Sequence, residues 1–313
     1  MSRANDYYDW PLLYEVTSPG VPGDIQFYLQ EAKRLANRGP VLELGSGLGR
    51  ISLALARHGI DVVGIEASPA MLAEARRRLA SLQAEVAVDA ANTSGHELKA
   101  TQANDESGSG HSLQVAQTDD GPNSDYLDEP QPPAPPLGSV EYLQGDMRDF
   151  HLNRTFPLAI IPYRAFLHCL TQEDQLSTLL RVREHLQPGG HLLLDFFTPD
   201  LELIANEDSS LHFRGEFVEP NSEPARRFLL WEATQFDRLQ QRVDDHLFFD
   251  FLGPDGTVVR RTEASFSIRY IFPSEFRLLL LATGFRLLWV YGGFHREPLS
   301  EDSVDTVWLA RRS

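Results

Sequence analysis

Three glycines spaced two apart, Gly45, Gly47 and Gly49, lie in Glu43-Leu44-Gly45-Ser46-Gly47-Leu48-Gly49-Arg50, and carboxylates follow at Glu66 and Asp146. Residues without a Cβ let the chain turn sharply and let a ligand approach the backbone N–H groups. Glu66, about twenty residues past the first glycine, can accept both hydrogen bonds of a ribose diol. Asp146, in Gln144-Gly145-Asp146-Met147, can accept from an adenine amino group while Met147 packs on the ring. A dinucleotide fingerprint, G-x-G-x-x-G, carries its third glycine where this chain has Arg50. The spacing therefore suits an adenosine-bearing ligand that lacks a pyrophosphate.

Such residues need a scaffold that brings strand ends together. Val41-Leu42-Glu43-Leu44 reads as a short buried strand, and the glycine turn opens a helix over 51–57. Val62 to Glu66 reads as a second strand, which places Glu66 at its end. Ser68 can cap the next helix, and Pro69 suits its first position. Val140 to Leu143 and Phe156 to Pro162 read as further strands. Leu176, Leu179, Leu180 and Val182 have helical spacing within 172–186. Pro188-Gly189-Gly190 is expected to end that helix and His191 to begin a fifth strand. Strands alternating with helices predict a parallel α/β sheet covered on both faces, with ligands at the carboxyl ends of the strands.

Three long strands, 227–236, 242–252 and 258–272, interrupt this rhythm as an antiparallel meander, with Gly253-Pro254-Asp255-Gly256 between the last two. A helix then begins at Pro273, and strands over 285–291 and 304–310 close the chain. The organisation expected is an N-terminal helical cap (1–39), a ligand-binding core (40–89 and 140–200) completed by 273–313, and the meander (201–272) as substrate lid or dimer region. Residues 90–139 are expected to be a disordered acidic, proline-rich insertion. Ten acids stand against one base, Lys99, between Ala84 and Ser139. Without apolar periodicity, such a segment cannot offset its ordering entropy.

The net charge of −17 disfavours nucleic acid and anionic membrane as partners. No apolar run approaches the length of a bilayer span, and the N-terminus lacks a signal-peptide pattern. With Cys169 the sole cysteine, a Cys-based metal site is not expected. A cytoplasmic enzyme without a metal is the reading these features favour.

Together these segments resemble the class I methyltransferases that use S-adenosylmethionine (SAM). The resemblance rests on 41–50, on Val63-Gly64-Ile65-Glu66-Ala67-Ser68-Pro69-Ala70-Met71-Leu72, on Gly145-Asp146-Met147-Arg148 and on Leu186-Gln187-Pro188-Gly189-Gly190. It implies a Rossmann-like sheet of seven strands, mostly parallel with a reversed last strand. It also implies SAM as cofactor, with Gly45 and Gly47 against its methionine part, Glu66 on the ribose and Asp146 near the adenine. The cofactor set it implies adds Glu43, Ser46, Gly49 and Arg50 from the turn and Ala67, Ser68 and Met71 after the second strand. Gly145, Met147, Pro162 and Tyr163 complete it.

The fourth strand ends in Ile161-Pro162-Tyr163-Arg164-Ala165-Phe166-Leu167-His168, which departs from the Asn/Asp-Pro-Pro-aromatic pattern of enzymes that methylate DNA bases. The segment is similar instead to the small-molecule branch that includes glycine and aminosugar N-methyltransferases. That resemblance implies a small-molecule amine as acceptor, with a hydroxyl or carboxylate as the alternative. Tyr163 and His168 are candidates for proton handling, and Arg164 for a substrate carboxylate. Tyr8 and Tyr14 are candidates to cover the cofactor and line the acceptor pocket. An NAD-dependent oxidoreductase and a non-catalytic SAM-binding scaffold are the rival classes.

Overall fold

The computed structural model describes residues 6–36, 39–103, 135–206, 209–220, 222–223 and 225–313. Seven strands form its central sheet: β1 (Val41–Leu44), β2 (Val62–Glu66), β3 (Val140–Gln144), β4 (Phe156–Ile161), β5 (Leu186–Phe197), β10 (Phe285–Tyr291) and β11 (Asp305–Arg312). Their order is β10-β11-β5-β4-β1-β2-β3. β1 to β5 pair parallel, and β11 runs antiparallel to both of its neighbours. This is the mostly parallel sheet with a reversed last strand that the resemblance implies.

The period of two along each strand divides the apolar side chains between two cores. Leu42, Leu44, Ala159, Ile161 and Trp308 meet Leu179 and Val182 of α5 (Gln172–His185) and Phe276 of α7 (Pro273–Ala282) on one face. Val41, Leu158, Ile160 and Leu309 meet Tyr28 of α2 (Asp24–Leu35) and Leu55 of α3 (Arg50–Arg57) on the other. Burial on both faces explains why β4 reads as an unbroken apolar run and why β1 is apolar but for Glu43. Leu72 and Ala75 of α4 (Pro69–Ala103) close the far edge against Tyr142 of β3.

A second sheet of four antiparallel strands, ordered β6-β7-β8-β9, stands between β5 and α7. Its strands are β6 (Leu211–Val218), β7 (Arg227–Asp237), β8 (Arg242–Leu252) and β9 (Val258–Arg269). Phe228, Leu230, Leu247, Phe249 and Phe251 from its inner face pack with Tyr7 and Leu13 of the N-terminal segment. Tyr7 belongs to a short 3-10 turn, Asp6–Asp9, and Leu13 to α1 (Pro11–Thr17). The cap and the meander therefore share one core and position each other.

The structure corrects four boundaries. β6 was not expected; as an edge strand it leaves Leu211 and Phe213 exposed, so its alternation carries little burial signal. β5 begins at Leu186, ahead of the Pro-Gly-Gly segment, because Phe156 pairs with Leu186 before the register shifts to Leu158 and His191. β9 ends at Arg269, short of Phe272. α4 runs on to Ala103, so 90–103 is helical where the sequence reading has a disordered insertion. The rest of that expected insertion falls largely on 104–134, outside the described residues. Among the described residues no helix is long and apolar enough to cross a membrane.

Candidate active site

The carboxyl ends of β1, β2, β3 and β4 open on a cavity of about 1440 Å³, whose opposite wall is the inner face of the four-stranded sheet. Gly45, Gly47 and Gly49 all hold positive φ, at 68°, 53° and 81°, where side chains are strained. Gly45 and Gly47 line the cavity. A Cβ on Gly47 would meet no atom within 4 Å, so its open side is space for a ligand, whereas one on Gly45 would strike Ala165. Gly49 does not line the cavity. It caps α3 and presses on the Tyr142 ring, so its role is packing and not ligand contact. Tyr142 in turn hydrogen-bonds Ser52 through the two hydroxyls, 3.0 Å apart.

Glu66 sits at the end of β2 as expected. The Gly47 amide donates to its Oε2 and the Ser68 amide to its Oε1, each at 2.8 Å. Burial raises its pKa, and these two amides pull the other way by favouring the carboxylate. The turn and the carboxylate are thus one unit. Met71 is fully buried beneath it, and Ala67, Ser68 and Met71 all line the same wall. The Ser68 hydroxyl donates to the Tyr8 carbonyl at 2.9 Å, tying the N-terminal cap to this wall. Asp146, Gly145 and Met147 line the cavity from the end of β3. Arg148 holds the Asp146 carboxylate in a salt bridge at 2.5 Å and lowers its pKa, so Asp146 stays ionised and can accept.

Two buried polar atoms on this wall have no partner among the described residues, Glu43 Oε2 and Ser46 Oγ. Burial raises the Glu43 carboxyl to about 7, with Ser52 and Arg50 opposing the shift. Both residues line the cavity, and an orphaned carboxylate oxygen there suits a cationic ligand group. Arg50 is a wall residue too, but its guanidinium is held by Asp24 through both oxygens, at 2.8 and 2.5 Å, with Tyr163 at 5.4 Å below it.

At the end of β4, Tyr163 and Arg164 both take positive φ, 53° and 64°. Asp195 of β5 holds this strained corner. It accepts from the Tyr163 amide at 2.8 Å, the Arg164 amide at 3.2 Å and the Tyr28 hydroxyl at 2.6 Å. The sequence analysis missed Asp195. The available signal was a lone acid in Leu192-Leu193-Leu194-Asp195-Phe196-Phe197, since a buried acid at a sheet end must have a task. Pro162 and Tyr163 line the cavity as expected. Arg164 also reaches it, but Asp305 takes its fork through Nε at 3.2 Å and Nη2 at 2.7 Å. Its guanidinium therefore serves a structural pair, which corrects its assignment to a substrate carboxylate.

His168 and Tyr8 face the cavity and bond each other, hydroxyl to Nε2, at 2.8 Å. His168 Nδ1 lies 3.1 Å from the Ser267 carbonyl oxygen. A carbonyl only accepts, so Nδ1 carries the proton and Nε2 accepts from Tyr8. Burial pushes the imidazole down to about 4. It is neutral near pH 7, and its one lone pair is already engaged. Tyr14 stacks obliquely 5.7 Å from Tyr8 and completes this aromatic corner.

Residues 41–107 match the model of a methyltransferase domain. A cypemycin N-terminal methyltransferase from a Streptomyces species is 23% identical to this protein over 174 residues, 55% of this chain; the match spans 65% of that relative's length. Among solved structures, an SAM-dependent methyltransferase from Clostridium acetobutylicum superposes with a TM-score of 0.67 at 13% identity, covering 99% of this chain and 100% of that one. The CcbJ methyltransferase from Streptomyces caelestis gives 0.62 at 21% identity, covering 94% and 92%. An SAM-bound amino pentose methyltransferase from Micromonospora echinaspora gives 0.57 at 17% identity, covering 94% and 93%. The second sheet lies within these coverages, so it belongs to the fold shared with these structures.

Proposed function

We propose that this protein transfers a methyl group from SAM to a small-molecule acceptor, an amine by preference. One observation carries the reading: the Gly45–Gly47 turn, Glu66 and the Gly145–Met147 segment follow the adjacent strands β1, β2 and β3 and line one cavity, an order that would suit the methionine, ribose and adenine of SAM. The unpartnered Glu43 Oε2 and Ser46 Oγ give the ammonium and carboxylate end of such a ligand something to bind. The names of the relatives, an N-terminal methyltransferase and a sugar N-methyltransferase among them, favour nitrogen over oxygen as the site of transfer.

When bound, SAM supplies a methyl group on a positively charged sulfur, a good leaving group. The protein's work is then mainly alignment and exclusion of water. Glu66 and the turn fix the adenosine, while Asp195 fixes the backbone corner at Tyr163. The aromatic cap over Tyr8 and Tyr14 closes the cavity against solvent. The neutral His168 acts through Tyr8. By accepting the hydrogen bond from the hydroxyl it leaves the Tyr8 oxygen with lone pairs for an acceptor N–H, which makes His168 a positioning residue. The test is transfer of labelled methyl from SAM to a pool of small metabolites. Label appearing on nitrogen of a small molecule is the result expected, and label confined to oxygen, to macromolecules or to no product overturns the reading.

A further inference from the structure

The wall opposite the glycine turn carries charge of its own. Side chains on the inner face of the four-stranded sheet alternate along each strand, and register places Thr234 of β7 against Asp245 of β8, and Asp245 against Phe266 of β9. Asp245 is 6% exposed and lines the cavity together with Glu232, Thr234, Phe236, Phe266 and Ile268. Its Oδ1 accepts from the Thr234 hydroxyl at 2.6 Å. Among the described residues this is the one hydrogen bond its carboxylate makes, and it leaves Oδ2 toward the cavity that Asp245 lines. The basic group beside it, Arg214, is held by Glu232 in a short salt bridge and offsets the Asp245 charge only from a distance; no ion pair joins Asp245 to a base among the described residues. A buried carboxylate without a counter-ion is costly to keep. Burial, with the neighbouring Glu232 charge, raises its pKa to about 7. It also lies within electrostatic reach of the Tyr8 hydroxyl, across the cavity corner where the acceptor nitrogen is proposed to sit.

We infer that this sheet face is a cation-recognising wall, and that Asp245 is the specificity-determining residue that binds the ammonium form of the acceptor amine. The inference deepens the proposed function and rests on it. A protonated amine supplies the missing counter-ion and hydrogen-bonds Oδ2, and the surrounding rings of Phe236 and Phe266 exclude water from the pair. A carboxylate acceptor is repelled by Asp245 and Glu232, and Arg164, the group that would have welcomed it, is committed to Asp305. A neutral hydroxyl acceptor supplies no counter-ion and so gains nothing from the Asp245 charge. The wall thus selects amines that are cationic in solution, which includes amino sugars and terminal or side-chain amines of peptides.

The experiment measures thermal stabilisation of the full chain loaded with S-adenosylhomocysteine. The probes are three free amines, 3-amino-3-deoxyglucose, glycine methyl ester and benzylamine, each paired with its N-acetyl derivative. The expected result is stabilisation by at least one free amine at a concentration at least tenfold below that of its neutral N-acetyl partner. Asp245→Asn, which keeps the shape and the acceptor for Thr234, is expected to erase that preference. Glu232→Gln is expected to weaken it only in part. Stabilisation by S-adenosylhomocysteine itself should be equal in the variant and the parent, which shows that the fold and the donor wall survive. Equal or absent responses to the amine and its N-acetyl partner in all three pairs, or a preference that persists in Asp245→Asn, overturn the inference. Loss of the response to S-adenosylhomocysteine in the parent chain instead overturns the donor reading beneath it.

Discussion

The two walls of the cavity are built in different ways. The donor wall comes from four short stretches, each a strand end with the loop that follows it, and much of its chemistry is backbone. Gly47 and Ser68 amides bind Glu66 directly. The acceptor wall is assembled from Tyr8, His168 and the sheet face carrying Asp245, and its key bond joins residues 160 positions apart. Backbone chemistry demands particular residues at fixed spacing, so it leaves a trace in the sequence. Side chains that meet across such distances do not.

This contrast predicts how the walls break. The largest effects belong to the donor side. Glu66→Ala removes the carboxylate that joins the turn to the ligand, and charged hydrogen bonds of this kind are worth roughly 1.5–3 kcal/mol each. SAM affinity measured by calorimetry should fall on the order of a hundredfold. Gly47→Val forces a branched side chain into positive φ and into the ligand's space, with a loss at least as large. Unchanged affinity in both variants would mean the turn does not hold the donor.

A second effect separates the walls by pH. Glu43 titrates near 7 in the folded chain because burial disfavours its charge. A carboxyl whose folded pKa is raised contributes stability that is full below its unfolded value of about 4.3 and is lost as pH rises through about 7. Chemical denaturation should therefore show Glu43→Gln gaining on the parent by ~1–3 kcal/mol between pH 5 and 8. SAM affinity should move the opposite way in the parent chain. It strengthens as Glu43 ionises, up to about tenfold per pH unit below 7, and this dependence should vanish in Glu43→Gln. An affinity that is flat with pH in the parent would detach Glu43 from the ligand.

Smaller effects are expected on the acceptor side. Because His168 is held neutral with its pKa near 4, the rate profile should show no inflection from a histidine between pH 6 and 7. His168→Phe should lower kcat by up to about a hundredfold, the size of one misplaced contact, and leave SAM affinity within about twofold. An inflection near 6.5 that disappears in this variant would make His168 a base in its own right. The smallest effect is that of Arg164→Ala. Its salt bridge to Asp305 is about one-third exposed on the arginine side, so the loss should be below about 1 kcal/mol of stability. KM for the acceptor should not change.

The sequence made the central sheet and the donor wall readable for the same reason. The short, mostly apolar stretches at β1 and β4, bounded by glycine and proline, suit strands buried on both faces, and glycines at Gly45 and Gly47 have no packing substitute at positive φ. Three things escaped it. β6 is an exposed edge strand, so burial leaves no alternation along it. Helix α4 continues through a polar stretch to Ala103, where composition argued for no structure at all. Asp195 and Asp245 are single acids whose meaning lies in what faces them: a strained corner for one and an unpartnered cavity wall for the other. Arg164 shows the converse. A forked cation beside a cavity suggests a substrate clamp until Asp305, 141 residues away, is placed against it.

The central claim, that the Gly45–Gly47 turn and Glu66 hold the methyl donor, is tested most directly by titrating the purified chain with SAM and, separately, with NAD in a calorimeter. The account predicts one SAM site per chain, lost in Glu66→Ala, and no heat from NAD. Absence of SAM binding, or NAD binding that is likewise abolished by Glu66→Ala, would contradict it.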